Sequence, residues 1–137
     1  MQDMTTPEDK LFHLASEARN KAYVPYSKFA VGAAVLSSDG SYYGGCNVEN
    51  VSYPCGTCAA AGAIAAMICG GSKKIAKILI IADAPQLITP CGACLQRIKE
   101  FSDLQTEVLL AAPDGIKQRL TVKQLLPHDF DNSELRK

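Results

Sequence analysis

Apolar residues return at helical spacing near the start of the chain. Leu11, Leu14, Ala15, Ala18 and Ala22 recur at intervals of three and four, with charged residues between them. Thr6-Pro7-Glu8-Asp9 opens this segment with a hydroxyl cap, a proline at the first helical position and two acids against the positive dipole end. The helix is expected to stop before Pro25, because the residue preceding a proline avoids helical geometry. Phe29 to Leu36 then reads as a strand, Asp39-Gly40 as a hairpin turn and Ser41 to Cys46 as the returning strand. Cys58 to Cys69 is alanine-rich and apolar all round, which predicts a buried helix halted by Gly70-Gly71.

Ile78 to Ala82 is a short continuous apolar run of the kind buried on both faces of a sheet. After Pro90, the segment Cys91 to Phe101 places Leu95, Ile98 and Phe101 along one helical face. Glu107 to Ala112 predicts another buried strand, followed by a Pro113-Asp114-Gly115 turn. Arg119 to Val122 is an expected edge strand and Val122 to Leu126 a short helix. The order α-β-β-α-β-α-β lets helices cover both faces of a mixed sheet, an α/β sandwich. A length of 137 residues suits one core, so residues 1–137 are expected to form a single domain with a polar C-terminal tail from about residue 128.

Composition narrows the function classes. Apolar residues make up 47% of the chain and charged residues 20%, an ordinary globular mix. Fourteen basic side chains balance 14 acidic ones, which gives no general electrostatic reason to bind nucleic acid or an anionic membrane. The longest uncharged apolar stretch, Cys58 to Gly71, is too short to span a bilayer, and no charged-then-apolar leader precedes Leu11. A soluble, cytoplasmic, reducing-compartment protein is the expectation, and its six cysteines then need an explanation other than a disulfide scaffold.

Pro90-Cys91-Gly92-Ala93-Cys94 supplies the strongest local signal. A strand end delivers two thiols to the first turn of a helix, where the dipole and free N–H groups stabilise thiolates. Cys58 begins the apolar helix in the same way. Three thiolates from two helix N-termini would bind Zn²⁺ and leave the fourth tetrahedral position for water, which such a metal makes acidic near neutral pH. Cys55-Gly-Thr-Cys58 is a second CxxC, so a closed four-cysteine structural site is a rival reading. Its 32-residue gap exceeds the about 15–20 residues usual in zinc ribbons. Cys46 and Cys69 are read as packing residues.

Read together, Cys58-Ala59 and Pro90-Cys91-Gly92-Ala93-Cys94 resemble the zinc-dependent cytidine deaminase family, whose signature is a metal ligand, one spacer, a glutamate and a downstream PCxxC. Pro25-Tyr26-Ser27-Lys28-Phe29-Ala30-Val31-Gly32-Ala33-Ala34 resembles the family's PYSxFxVGAA segment. Gly45-Cys46-Asn47-Val48-Glu49-Asn50 resembles its GxNxEN segment, and Leu125-Leu126-Pro127 with Phe130 its LLPxxF. The resemblance implies a three-layer α-β-α sandwich around a mixed five-stranded sheet. It implies one Zn²⁺ per subunit on Cys58, Cys91 and Cys94, and hydrolytic deamination of cytidine or deoxycytidine to the uridine product and ammonia, as in pyrimidine salvage. Asn47 and Glu49 match the ribose-binding pair, Phe29 a pocket-lining position and Ala59 a substrate-contacting one. Tyr53 and Phe130 match positions that reach active sites across subunit boundaries, which implies a homotetramer.

The departures carry equal weight. The glutamate expected two residues after the first ligand is Ala60 here. That glutamate carries protons between water, ring and leaving amine, and general acid–base help is worth roughly 10²–10⁴ in rate per role. Alanine cannot do this, so the chain is expected to bind zinc and a nucleoside but to be nearly inactive. Either an active deaminase has been deliberately disabled, or the chain is a natural non-catalytic nucleoside-binding protein; the retained ligands and ribose pair favour the first. Blasticidin-type or N4-substituted cytidine deamination is a weaker alternative. The family's arginines beside the metal are also missing, since their positions hold Ala61 and Leu95. Arg97, one turn beyond Cys94, is the basic residue placed to substitute for them.

Overall fold

A computed structural model describes residues 6–130. Helix α1 spans Pro7–Arg19, strand β1 Val31–Ser37 and strand β2 Tyr42–Cys46. A single 3-10 turn at Tyr53–Cys55 precedes α2, Ala59–Cys69. Strand β3 (Ile75–Ala82), α3 (Gly92–Glu100), β4 (Glu107–Ala112), β5 (Gly115–Thr121) and α4 (Val122–Leu125) complete the chain. The sheet order is β2-β1-β3-β4-β5. Only β3 and β4 pair in parallel, brought side by side by the crossover through α3, whereas β2 and β3, joined through α2, lie on either side of β1. This is the expected α/β sandwich on a five-stranded mixed sheet.

Two-residue alternation along the central strands sorts their side chains into two cores. Ala33, Val35, Ile78, Ile80, Val108 and Leu110 face α2 and α3. Ala34, Leu79, Ile81, Leu109 and Ala111 face Leu11 and Ala15 of α1. Because β1, β3 and β4 are covered on both sides, their apolar runs are continuous in sequence.

Glycines set the closeness of the layers at two points. A Cβ on Gly45 of β2 would lie 2.6 Å from the Ala59 carbonyl oxygen, so β2 and the first turn of α2 touch backbone to backbone. A Cβ on Gly32 of β1 would lie 2.8 Å from the Arg19 nitrogen, the same relationship with α1.

Several boundaries differ from expectation, each for a local reason. Helix α1 ends at Arg19 with Asn20 as its cap, so Ala22 lies beyond it. Strand β1 starts at Val31, because the backbone of Phe29 is bonded to the side chains of Ser27 and Asn47 instead of to a ladder. Strand β3 begins at Ile75 and carries Lys77, whose charge reaches Glu107 at 3.1 Å and Glu8 at 3.6 Å. Strand β5 starts at Gly115, ahead of the expected Arg119; its exposed Lys117, Gln118 and Arg119 are edge-strand polarity that hid it. Val122 opens α4 behind a Thr121–Gln124 capping box. Cys69, expected to pack, is exposed, and Cys46 is half-buried. Leu135 lies outside the described residues.

Strand register gathers the chemistry at one sheet edge. Gly32 pairs with Cys46 and with Ile81, and Ile81 pairs with Ala111. The start of β1 and the ends of β2, β3 and β4 therefore share one edge. The segments leading into α2 and α3 both depart from it.

Candidate active site

Cys58 is the N-cap of α2 and Cys91 the N-cap of α3, both with extended backbone and neither with a side-chain capping bond. Cys94, in the first turn of α3, is buried. The Sγ atoms of Cys58 and Cys94 meet at this corner. Their Cα atoms are 7.5 Å apart, wider than the usual ~4.4–6.8 Å of a disulfide. Cys91 is exposed and stands outside the pair, so among the described residues no three ligating side chains close on a metal position. Two of the three thiols expected together are therefore in contact. The third sits at the same helix start with no bond holding its side chain away. Soft thiol donors at two helix N-termini fit a thiophilic divalent ion. Cys55 is also exposed and donates to the Ser52 hydroxyl at 3.6 Å.

Arg97 returns over the first turn of α3. Its Nη1 is 3.9 Å from the sulfur of Cys58 and 3.9 Å from that of Cys94. Leu95, at a position where the resemblance places an arginine, is buried instead. Ala60 is buried at 4% exposure in the core cluster that also holds Cys94 and Ile98. No group that could carry a proton occupies that position.

A cleft of about 520 Å³ opens beside the thiols, with Tyr26, Ser27, Asn47, Glu49, Tyr53 and Cys58 among its walls. Its floor is braced on both sides. Val48 exchanges backbone bonds of 3.0 and 2.9 Å with Thr57, while Asn47 and Glu49 bond the backbone of Tyr23 at 3.1 and 2.9 Å. Asn47 and Glu49 are brought together as expected, and both already hold the chain. The Asn47 amide donates to the Phe29 carbonyl at 2.9 Å and accepts from the Val31 N–H at 2.9 Å. Glu49 accepts from the N–H groups of Tyr26 and Ser27 at 3.0 and 3.1 Å and from the Ser27 hydroxyl. That hydroxyl bond, opposed by desolvation and helped by the two N–H groups, holds the Glu49 carboxyl below the usual carboxylate range.

The remaining expected residues are less central. Phe29 is half-buried and joins the cleft through its backbone; its ring is not among the walls. Ala59 is buried beneath the site. Tyr53 is 77% exposed at the cleft mouth, its ring 6.3 Å from that of Tyr26. Phe130 is 67% exposed, and its carbonyl accepts from Gln96 at 2.7 Å. Ser27 and Tyr26 were overlooked as site residues, although both stand inside the recognised PYSxFxVGAA segment.

Fold and site together define an α/β protein with cysteines at paired helix starts and a cleft of about 520 Å³ alongside. Residues 5–110 match the cytidine and deoxycytidylate deaminase zinc-binding region. The cytidine deaminase of Sporosarcina psychrophila is 40% identical over 127 residues, covering 93% of each chain. That of Halalkalibacterium halodurans is 40% identical over 121 residues, covering 88% of this chain and 92% of its own. The crystal structure of cytidine deaminase from Burkholderia pseudomallei superposes with a TM-score of 0.86 at 37% identity, over 91% of this chain and 100% of that one. The chain belongs to the cytidine and deoxycytidylate deaminase family.

Proposed function

We propose that this chain binds one Zn²⁺ through Cys58, Cys91 and Cys94 and holds cytidine or deoxycytidine in the cleft beside them, on a deaminase scaffold that Ala60 leaves nearly inactive. The observation that carries this reading is the meeting of the Cys58 and Cys94 sulfurs beside a cleft walled by Asn47 and Glu49. Zinc there would supply the Lewis acidity that activates water for attack at C4 of the pyrimidine. The chain's own part is positional. Asn47 and Glu49 present an amide and a carboxylate to the sugar hydroxyls. Cys58 and Cys94 mark the end of the cleft where the base would lie. Ala60, where a proton carrier belongs, offers only a methyl group.

Homotetramer assembly accompanies this reading, supported by Tyr53 and Phe130 lying on the surface where a second copy would cover them. Among the described residues no helix is long and apolar enough to cross a membrane. A reducing cytoplasm accompanies the reading of Cys58, Cys91 and Cys94 as metal-bound thiolates.

The test combines zinc analysis with calorimetric titration of cytidine, deoxycytidine and uridine. One zinc per chain and saturable cytidine binding without ammonia release are expected. A chain that takes up zinc but no nucleoside overturns the binding reading. Cys55→Ser and Cys94→Ser then separate an open site from a four-cysteine structural one: equal metal loss in both would establish the closed site. Exposure of Cys55 and its bond to Ser52 favour retention of metal in Cys55→Ser.

A further inference from the structure

The thiol corner has a charge problem that the sequence of α2 cannot solve. From Asn50 to Ser72 the chain carries no charged residue, so neither α2 nor the turn before it contributes a cation. Three thiolates around a divalent ion sum to a net charge of minus one. The two helix N-termini contribute only partial positive charge. Any full compensating charge on these helices has to come from α3, whose basic residues are Arg97 and Lys99. Lys99 is paired with Asp129 at 3.2 Å. Arg97 makes no ion pair with a carboxylate among the described residues, and its Nη1 lies equally close, at 3.9 Å, to the sulfurs of Cys58 and Cys94.

We infer that Arg97 is the charge partner of the thiol pair, a positioning residue that spans Cys58 and Cys94 and keeps a metal on a site that would otherwise be too anionic. This rests on the zinc reading above and adds to it the residue that makes the site hold. The geometry explains why the position is three residues after Cys94. A helix of 3.6 residues per turn brings that side chain back over its own first turn, whereas the residue directly after Cys94 points into the core, where Leu95 is buried. One guanidinium nitrogen, Nη1, reaches both sulfurs and is held in place by the planar group it belongs to, which a lysine ammonium on a flexible stem cannot reproduce as well.

The experiment measures zinc affinity by competition with a chromophoric chelator for the wild-type chain, Arg97→Ala and Arg97→Lys. The sulfur-to-metal charge-transfer absorption of the Co²⁺-loaded forms serves as the readout of ligand number. Loss of a group that supports metal ligands from behind typically costs about 10–100-fold in affinity. Arg97→Ala is expected to fall in that range with its charge-transfer intensity and circular dichroism unchanged, and Arg97→Lys to lie between it and wild type. Equal affinity in wild type and Arg97→Ala overturns the inference while leaving the zinc reading intact. Reduced charge-transfer intensity in Arg97→Ala overturns it in favour of a purely structural role. A wild-type chain that takes up no zinc overturns both readings.

Discussion

The hydroxyl of Ser27 donates to the Glu49 carboxylate while accepting the N–H of Phe29 at 3.0 Å. One small side chain thereby ties the turn Tyr26–Phe29 to the Glu49 carboxylate in the wall of the cleft. Lys28, between the two bonded residues, adopts a left-handed φ of 61°, a conformation that a non-glycine residue keeps only when its surroundings fix it. Ser27→Ala removes a bond to a charged acceptor at an exposed site. A several-fold loss in nucleoside affinity is expected by calorimetry. Ser27→Thr, which keeps the hydroxyl, should stay near wild type; equal weakening in both variants would place the effect in the backbone and not in the Glu49 bond.

Restoring a carboxylate at position 60 is the direct trial of the inactive reading. Ala60→Glu is expected to raise ammonia release from cytidine by at least the ~10²–10⁴ of one acid–base role, and Ala60→Gln, which cannot ionise, should not. The site is buried at 4% exposure, so the new carboxyl should titrate above its usual range. Activity should accordingly rise with pH through that shifted value. No gain in Ala60→Glu with zinc and nucleoside still bound would mean that the remaining departures at the site disable it independently.

Gly45 offers a prediction about the scaffold. A methyl there would meet the backbone of α2, including the Ala59 oxygen at 2.6 Å, and backbone cannot yield as a flexible side chain does. Gly45→Ala should cost about 1–3 kcal/mol, seen as a lower midpoint in thermal or denaturant unfolding. Because α2 carries Cys58 at its start, metal affinity should fall with it. Gly92→Ala, with open space around the added methyl, is the control for stability and should leave the unfolding midpoint nearly unchanged.

Acid stability should depend on Asp39. Its carboxylate accepts from the hydroxyls of Ser37 and Ser72 and from the Ser41 N–H at 3.0 Å, joining the β1–β2 turn to the turn before β3. The Ser37 bond, then the Ser72 bond, hold its carboxyl far below the ordinary range. A group whose folded value is depressed stabilises the fold fully above its unfolded value, near 3.9, and loses that contribution as pH falls below it. Asp39→Asn should therefore lower stability at neutral pH and flatten the acid limb of the stability curve. An unchanged acid limb would mean that other carboxylates, such as Glu8 paired with Arg119, set it.

Much of the scaffold was legible because its signals are local. The continuous apolar runs of β1, β3 and β4, the Thr6–Pro7 cap and the apolar helix are properties of a few consecutive residues. The misplaced boundaries lie where a distant side chain decides the outcome. Strand β1 loses Phe29 to Asn47 and Ser27, and β3 gains Lys77 because Glu8 and Glu107 wait for its charge. The cysteines at the two helix starts were readable from spacing, whereas the pair Asn47 and Glu49 came only through the resemblance of Gly45 to Asn50 to the family's GxNxEN segment. Ser27 was not, since a serine in a turn has many bland uses and its partner lies more than twenty residues away in sequence. Arg97 could be singled out only by its offset from Cys94, and its contact with Cys58 depends on how α2 and α3 approach each other.

Helix α3 is only nine residues long, yet it has separate duties at its two ends. Its first turn carries Cys94 behind the Cys91 cap. Farther along, Gln96 holds the Phe130 carbonyl and Lys99 the Asp129 carboxylate. Any event that unwinds the first turn therefore also loosens the hold on Asp129 and Phe130. The thiol corner and the seating of Phe130 are thus two ends of one nine-residue helix, so a substitution that unwinds its first turn is felt at the Gln96 and Lys99 contacts as well.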